Sequence, residues 1–364
     1  MTQTFIRRFP VLFALIVAVS ALPGPSSSAP TKRTVTCSGF AAPGGNDGSR
    51  GSKSRPFATP QRLADSLRPG QTGCLRGGTY QAGSNGYVLR PRHGGAPSAP
   101  ITIRSYPGER AKLVGIIYLA QGSNYVTLSA LGIEGTGEEN TVQITSDHDI
   151  VEDSSITNAW RGNSCMILGD TSGAGAATLP IIRRNRFHEC GNPHNGAFDH
   201  AIYASNMNGG QIVDNLFWNT SALTIQLYPN AHHVRFAHNV VDGDAPSVRG
   251  GVFFGGDSDY ASSDNVVEYN VIAYAQTFNI DSSWDGATGS NNIARRNCLW
   301  AGREGNINTE GGGFSRIDNK VANPLFVNKT KHDYRLKPRS RCRRVVGFDT
   351  AALLRARAMR PVRR

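Results

Sequence analysis

The stretch IIRRNRF, residues 181–187, comes back in altered form four times: IVDNLFW (212–218), VRFAHNVV (234–241), VVEYNVI (266–272) and IARRNCL (293–299). Each copy carries one asparagine, in order Asn185, Asn215, Asn239, Asn270 and Asn297. The residue two positions later is always apolar: Phe187, Phe217, Val241, Ile272 and Leu299. The asparagines are 30, 24, 31 and 27 residues apart. A second strand-like run precedes each copy: CMIL (165–168), HAIYAS (200–205), TIQLYP (224–229), GVFFGG (251–256) and FNIDS (278–282).

Self-similarity at a period of 20–50 residues marks a solenoid or an array. Short runs rich in Val, Ile and Phe, broken by Gly, Asn, Asp and Ser, are strands and turns. No amphipathic helical repeat is present, so helical solenoids are excluded. The unequal period speaks against a propeller with regular blades. A parallel β-helix accepts unequal coils, because extra residues become loops at its corners. The asparagines then stack coil on coil at the ~4.8 Å strand spacing and bond along the axis. Looser copies lie earlier, at APITIRSY (99–106), YVTLSALGI (125–133) and HDIVEDSSI (148–156). The reading is a single all-β domain of about eight to ten coils between residues 70 and 330. TPQRLADSL (59–67) reads as a short helix closing the N-terminal end, with Thr59 as its N-cap, Pro60 in its first turn and Leu63, Ala64 and Leu67 on one face. NPLFVNKTKHDYRLKPRSRC (323–342) is expected to close the last turn, and DTAALLRARAM (349–359) to add a final helix.

The start of the chain reads as an export signal. Arg7 and Arg8 precede an apolar run over 9–22 and the segment PGPSSSAP. The run is short for a membrane span, and no later segment is apolar enough for one. The resulting division is a signal and processing region over 1–29, an N-terminal cap segment over 30–74, the β-helix over 75–334 and a basic tail over 335–364. Six cysteines, Cys37, Cys74, Cys165, Cys190, Cys298 and Cys342, suit an oxidising compartment. Fifteen pairings are possible; nearest neighbours would join 37 to 74, 165 to 190 and 298 to 342, and the first of these bonds is expected. Without a CxxC pair, zinc and redox motifs are excluded. The net charge of +12 is concentrated at the end, where residues 335–364 hold eleven Arg or Lys against Asp349 alone. No recognition helix or aromatic stacking module accompanies it, so nucleic-acid binding is not expected. A secreted monomer is.

The opening NDGSRGSKSRPFATPQRLADSLRPGQTGCLRGGTY (46–80), the coils and the closing NPLFVNKTKHDYRL (323–336) resemble secreted right-handed parallel β-helix proteins of the pectate-lyase-like superfamily. The resemblance implies a fold and leaves the reaction open. The superfamily holds polysaccharide lyases, glycoside hydrolases, uronate epimerases and non-catalytic adhesins.

Aligning the strand runs on Ile167, Ile202, Ile225, Val252 and Ile280 sends the next residue of each outward, because side chains alternate along a strand. The expected column is Leu168, Tyr203, Gln226, Phe253 and Asp281, followed two residues on by Asp170, Ser205, Tyr228, Gly255 and Ser283. Asp199, His200 and Arg249 stand at the corner before the strands; Asp257 and Trp284 stand at the corner after them. Polar and aromatic groups on one face suit a sugar chain. β-Elimination of a uronate glycoside needs a neutralised carboxylate, a base for the α-proton and an acid for the leaving oxygen. His200 and Tyr203 supply base and acid, Asp199 orients the imidazole, and Gln226 and Arg249 hold the carboxylate. Tyr228, Phe253, Asp257, Asp281 and Trp284 line the remainder of the site. The same set serves C5-epimerisation, and FDH (198–200) resembles, without its Pro and second Asp, the Asp-Pro-His-Asp signature of β-helix epimerases. Hydrolysis would use two carboxylates among Asp257, Asp281 and Asp285. No cofactor is required by this reading; calcium at GGDSDY (255–260) or DGDAP (242–246) is an open option. A polysaccharide lyase is favoured, with a non-catalytic glycan-binding or surface-structural protein as the competitor.

Overall fold

The structure, a computed structural model, describes residues 35–195, 198–244 and 249–347. The expected export signal and the helix over 349–359 lie outside them. The chain winds into an all-β parallel solenoid. Three parallel sheets of eleven, ten and ten strands run its length. One turn consists of Ile181–Arg183 in sheet 1, Arg186–Cys190 in sheet 2 and Ile202–Asn208 in sheet 3. The next turn places Gln211–Val213, Leu216–Thr220 and Ile225–His232 directly beside these.

The repeated asparagines make the corner between sheets 1 and 2. The residue before each one is left-handed: Arg184, Asp214, His238, Tyr269 and Arg296 have φ between 51 and 58°. A non-glycine residue in that region is strained, and the bonds that follow it hold it there. Asn215 Oδ1 accepts from Asn185 N–H at 2.9 Å, Asn239 Oδ1 from Asn215 N–H at 2.9 Å, and Asn270 Oδ1 from Asn239 N–H at 2.8 Å. Each side-chain amide also donates to the next asparagine, as Asn239 Nδ2 does to Asn270 Oδ1 at 3.1 Å, and to a carbonyl one coil back, as Asn239 Nδ2 does to Ile212 O at 2.9 Å. The corner turns the chain sharply inside the protein, where unpaired N–H and C=O groups are costly. The ladder satisfies them coil after coil, and ends on Asn319.

Two residues beyond each ladder asparagine the apolar side chains fill the interior. Phe187, Phe217, Val241, Ile272 and Leu299 are aligned across sheet 2 and fully buried. The Phe187 and Phe217 rings stack at 5.0 Å. Ile182, Ile212, Phe236 and Val267 face them from sheet 1, and Ile202, Ile225, Val252 and Ile280 from sheet 3, within one continuous core.

A helix, Pro60–Ser66, begins as the sequence predicts: Thr59 Oγ1 accepts from Arg62 N–H at 3.1 Å. It lies against the first strands, Gly39–Ala41 and Thr72–Leu75. Gly73 is required there, because a Cβ would stand 2.9 Å from Leu63 Cγ. The C-terminal segment behaves differently from the expectation. It does not lie across the last turn. The hairpin Phe326–Asn328 and Asp333–Leu336 and the short helix Cys342–Val346 cover the outward face of sheet 2. There Phe326, Tyr334 and Val346 pack on Leu216, Trp218, Val240 and Val271, outward residues of sheet 2 that are themselves apolar. Three disulfides, Cys37–Cys74, Cys165–Cys190 and Cys298–Cys342, join nearest neighbours in sequence. No helix among the described residues is long and apolar enough to cross a membrane.

Candidate functional site

Sheet 3 carries the residues singled out from the sequence. The pairing runs Tyr203 to Gln226, Gln226 to Phe253 and Phe253 to Asp281 on four successive strands. The column differs at one point. Met166, not Ile167, stands beside Ile202, so Ile167 joins Tyr203 in the outward column and Leu168 is fully buried. Tyr228 stacks on Tyr203 with ring centres 6.5 Å apart. Its neighbour must be Gly255, where a Cβ would meet the Phe253 ring at 2.6 Å and the Tyr228 ring at 2.8 Å. The Arg249 guanidinium lies 5.9 Å from the Phe253 ring centre.

His200 is only 2% exposed. Its Nδ1 accepts from Leu223 N–H at 3.3 Å, which leaves the ring proton on Nε2. A side-chain hydrogen bond joins the imidazole to Gln226. Burial drives its pKa down to about 3, helped by the Arg249 charge and opposed by the bonds from Gln226 and Leu223. The imidazole is therefore neutral at physiological pH, with its basic nitrogen already occupied. Asp199 does not orient it. The Asp199 carboxylate accepts from Asn192 N–H at 2.9 Å and from Asn195 Nδ2. His200 in this position holds the Gln226 amide.

Burial raises the Tyr203 pKa; the Tyr228, Asp257 and Asp170 charges add to the shift, and the Ser205 hydrogen bond opposes it. Tyr228 is raised by burial, then by Asp285 and Asp257. Both phenols thus keep their protons at neutral pH and share Asp257 as a neighbouring carboxylate. Asp257 Oδ1 accepts from Asp259 N–H at 2.9 Å and Tyr260 N–H at 2.7 Å, which fixes the carboxylate at the strand end. Burial raises Asp281 against the Ser282 N–H bond, Asn308 and the Arg249 charge.

The remaining expected site residues are placed less openly. Trp284 packs under Gly289 and Gly313, and its Nε1 donates to Gly312 O at 3.4 Å. Phe253 is buried. In the DGDAP stretch, Asp242 accepts from Tyr334 Oη at 2.9 Å, and both Asp242 and Asp244 pair with Lys329. Among the described residues no cluster of three His, Cys, Asp or Glu side chains is placed to hold a metal. One aromatic at this site escaped the sequence reading. Phe198, next to Asp199, is 81% exposed. A concave patch of about 470 Å³ lies on sheet 2, lined by Thr79, Lys112, Glu134 and Arg161. Glu134 is paired to both Lys112 and Arg161 there.

No protein-family model and no curated protein matches the chain by sequence. In structure it is similar to a rhamnogalacturonan lyase, with a TM-score of 0.56 and 15% identity over 80% of this chain and 90% of that one. It is similar also to XylC, solved in complex with xylose (0.53 and 12%, over 78% and 70%). A third structure is pectate lyase Pel9A (0.50 and 12%, over 83% and 89%). The likeness is one of fold: a parallel β-solenoid.

Proposed function

We propose that this is a secreted, right-handed β-helix protein, closed at its N-terminal end by the helix Pro60–Ser66, that cleaves a uronate-containing polysaccharide by β-elimination on sheet 3. The observation that carries the reading is the unbroken register of Tyr203, Gln226, Phe253 and Asp281, with Tyr228 stacked on Tyr203 and the Arg249 guanidinium over Phe253. Arg249 and the Gln226 amide neutralise the sugar carboxylate, which acidifies the neighbouring C–H. Asp257, the carboxylate shared by both phenols, takes that proton. The C–H electron pair becomes the new C=C bond and the glycosidic C–O bond breaks. Tyr203, held protonated, gives its proton to the leaving oxygen. His200 is a positioning residue: it holds Gln226 and touches no substrate.

The three disulfides and the folds of the similar lyases support an extracellular setting. The test is a panel of alginate, pectate, glycosaminoglycan and neutral polymers, followed by ultraviolet absorbance and by reducing ends. Unsaturated product from an acidic polymer is expected. Reducing ends without absorbance would mean hydrolysis, and retention without product would mean a binding protein.

A further inference from the structure

The outward column of sheet 3 does not stop at Tyr203. Toward the N-terminus it continues through Ile167 and Gln143 to Tyr118. Tyr118 stacks on Tyr87 with ring centres 6.3 Å apart and planes 22° from parallel. The Arg90 guanidinium lies over both rings, 5.3 Å from the centre of Tyr87 and 5.0 Å from that of Tyr118. The Arg90 backbone is fixed from both sides by the helix residue Gln61, through Arg90 N–H to Oε1 at 2.7 Å and Nε2 to Arg90 O at 2.9 Å. The Tyr118 hydroxyl is placed by Thr145 Oγ1 at 3.1 Å, just past the following strand. Arg90 is exposed and has no ion pair among the described residues. Several other arginines are paired, as Arg183 and Arg184 are with Glu152 and Arg235 and Arg295 are with Glu268.

We infer that Tyr87, Tyr118 and Arg90 form a distal subsite for an acidic sugar, on the same sheet as the reaction centre and remote from it. The inference rests on the reading that sheet 3 takes a glycan. Two flat, half-exposed rings offer the stacking surface that the C–H face of a pyranose needs. A guanidinium held above them without a counter-ion pairs with a carboxylate or sulfate in a fixed geometry. Tyr118 and Tyr203 are three strands apart, about 14 Å at the ~4.8 Å strand spacing. That is the span of a few linked sugars lying along the solenoid axis. The ligand class is therefore an acidic oligosaccharide long enough to cross Gln143 and Ile167.

The experiment is calorimetric titration of the full chain with acidic oligosaccharides of increasing length, cut from whichever polymer the panel selects. The comparison is with Tyr118→Ala and Arg90→Gln; thermal midpoints within a degree or two of the parent show that both variants fold. For the parent, affinity should climb with length up to the oligomer that reaches Tyr118. In either variant that last gain should vanish, a loss of roughly five- to tenfold for long oligomers, while dimers bind all three proteins alike. Equal affinity of parent and variants for long oligomers overturns the subsite. Length-dependent binding through Tyr118 and Arg90 without any cleavage leaves the subsite standing and removes the elimination reading. Failure of the parent to bind any acidic oligosaccharide overturns both.

Discussion

The asparagine corner and the outward face of sheet 3 are built from the same coils by opposite rules. At the corner five successive coils contribute an asparagine, make the same bonds and bury it. On sheet 3 neighbouring coils contribute a tyrosine, an amide, a phenylalanine and an aspartate, and the register slips between Ala204 and Asn206. The corner holds the solenoid together because it repeats. The sheet face is free to do chemistry because it does not have to.

The sharpest way to break this contrast is at Tyr203. Tyr203→Phe removes the hydroxyl that the chemical step is expected to need, together with its hydrogen bond to Ser205. Turnover on a validated polymer should fall about 10²- to 10⁴-fold, with the thermal midpoint lowered by only about 2–4 °C. Full activity would return Tyr203 to packing. The complementary substitution at the corner is Asn239→Ala. It strips partners from Asn215 N–H and Ile212 O deep in the protein, so denaturant unfolding should show a loss of about 2–4 kcal/mol. Asn319→Ala, at the partly exposed end of the ladder, should cost less than half as much. Equal losses would mean that the ladder does not act through burial.

Acid separates the two regions further. The His200 pKa lies near 3 in the folded protein and near 6.5 when unfolded. The unfolded chain therefore takes a proton that the folded one refuses. The stability this burial contributes is complete above about pH 6.5 and is lost as the pH falls toward 3, up to about 3 kcal/mol by pH 4. Asp149 works against it. Burial raises its pKa to about 7 from 3.8, so it costs stability as the pH rises through that same window. The measurement is thus the difference between parent and His200→Gln across pH 4–7, which should shrink on acidification. The loss in Asn239→Ala, an amide without a titration, should be flat over that range. At Gln226 the effect is split: Gln226→Ala should weaken uronate binding roughly tenfold and, by leaving the buried His200 N–H without its partner, cost about 1–3 kcal/mol of stability.

Much of the corner was legible in the sequence, because a recurring Asn followed by an apolar residue two positions on is a pattern that spacing alone exposes. The nearest-neighbour pairing of the cysteines, one among the fifteen open to the sequence, is the pairing found. The site was legible only in outline. CMIL contains three consecutive apolar residues, so alternation could not choose which one faces in. Met166 beside Ile202 makes that choice. His200 is the residue type of a general base, but it is buried and Leu223 N–H occupies its Nδ1. Burial of this kind leaves no period to read. The C-terminal segment was misplaced for a related reason. Leu216, Val240 and Val271 each follow a ladder asparagine directly, and they form the apolar floor that the hairpin covers.

The ladder has a consequence for how such a chain acquires its structure. Its bonds join residues 24 to 31 apart, from the first asparagine pairs to the middle of the stack. Chain separation between bonded partners does not grow as coils are added, so the loop-closure entropy of each new coil stays nearly constant. Folding can then proceed by accretion, each completed coil offering the next a row of waiting amide oxygens and strand edges. A protein of this design lengthens without folding more slowly per coil.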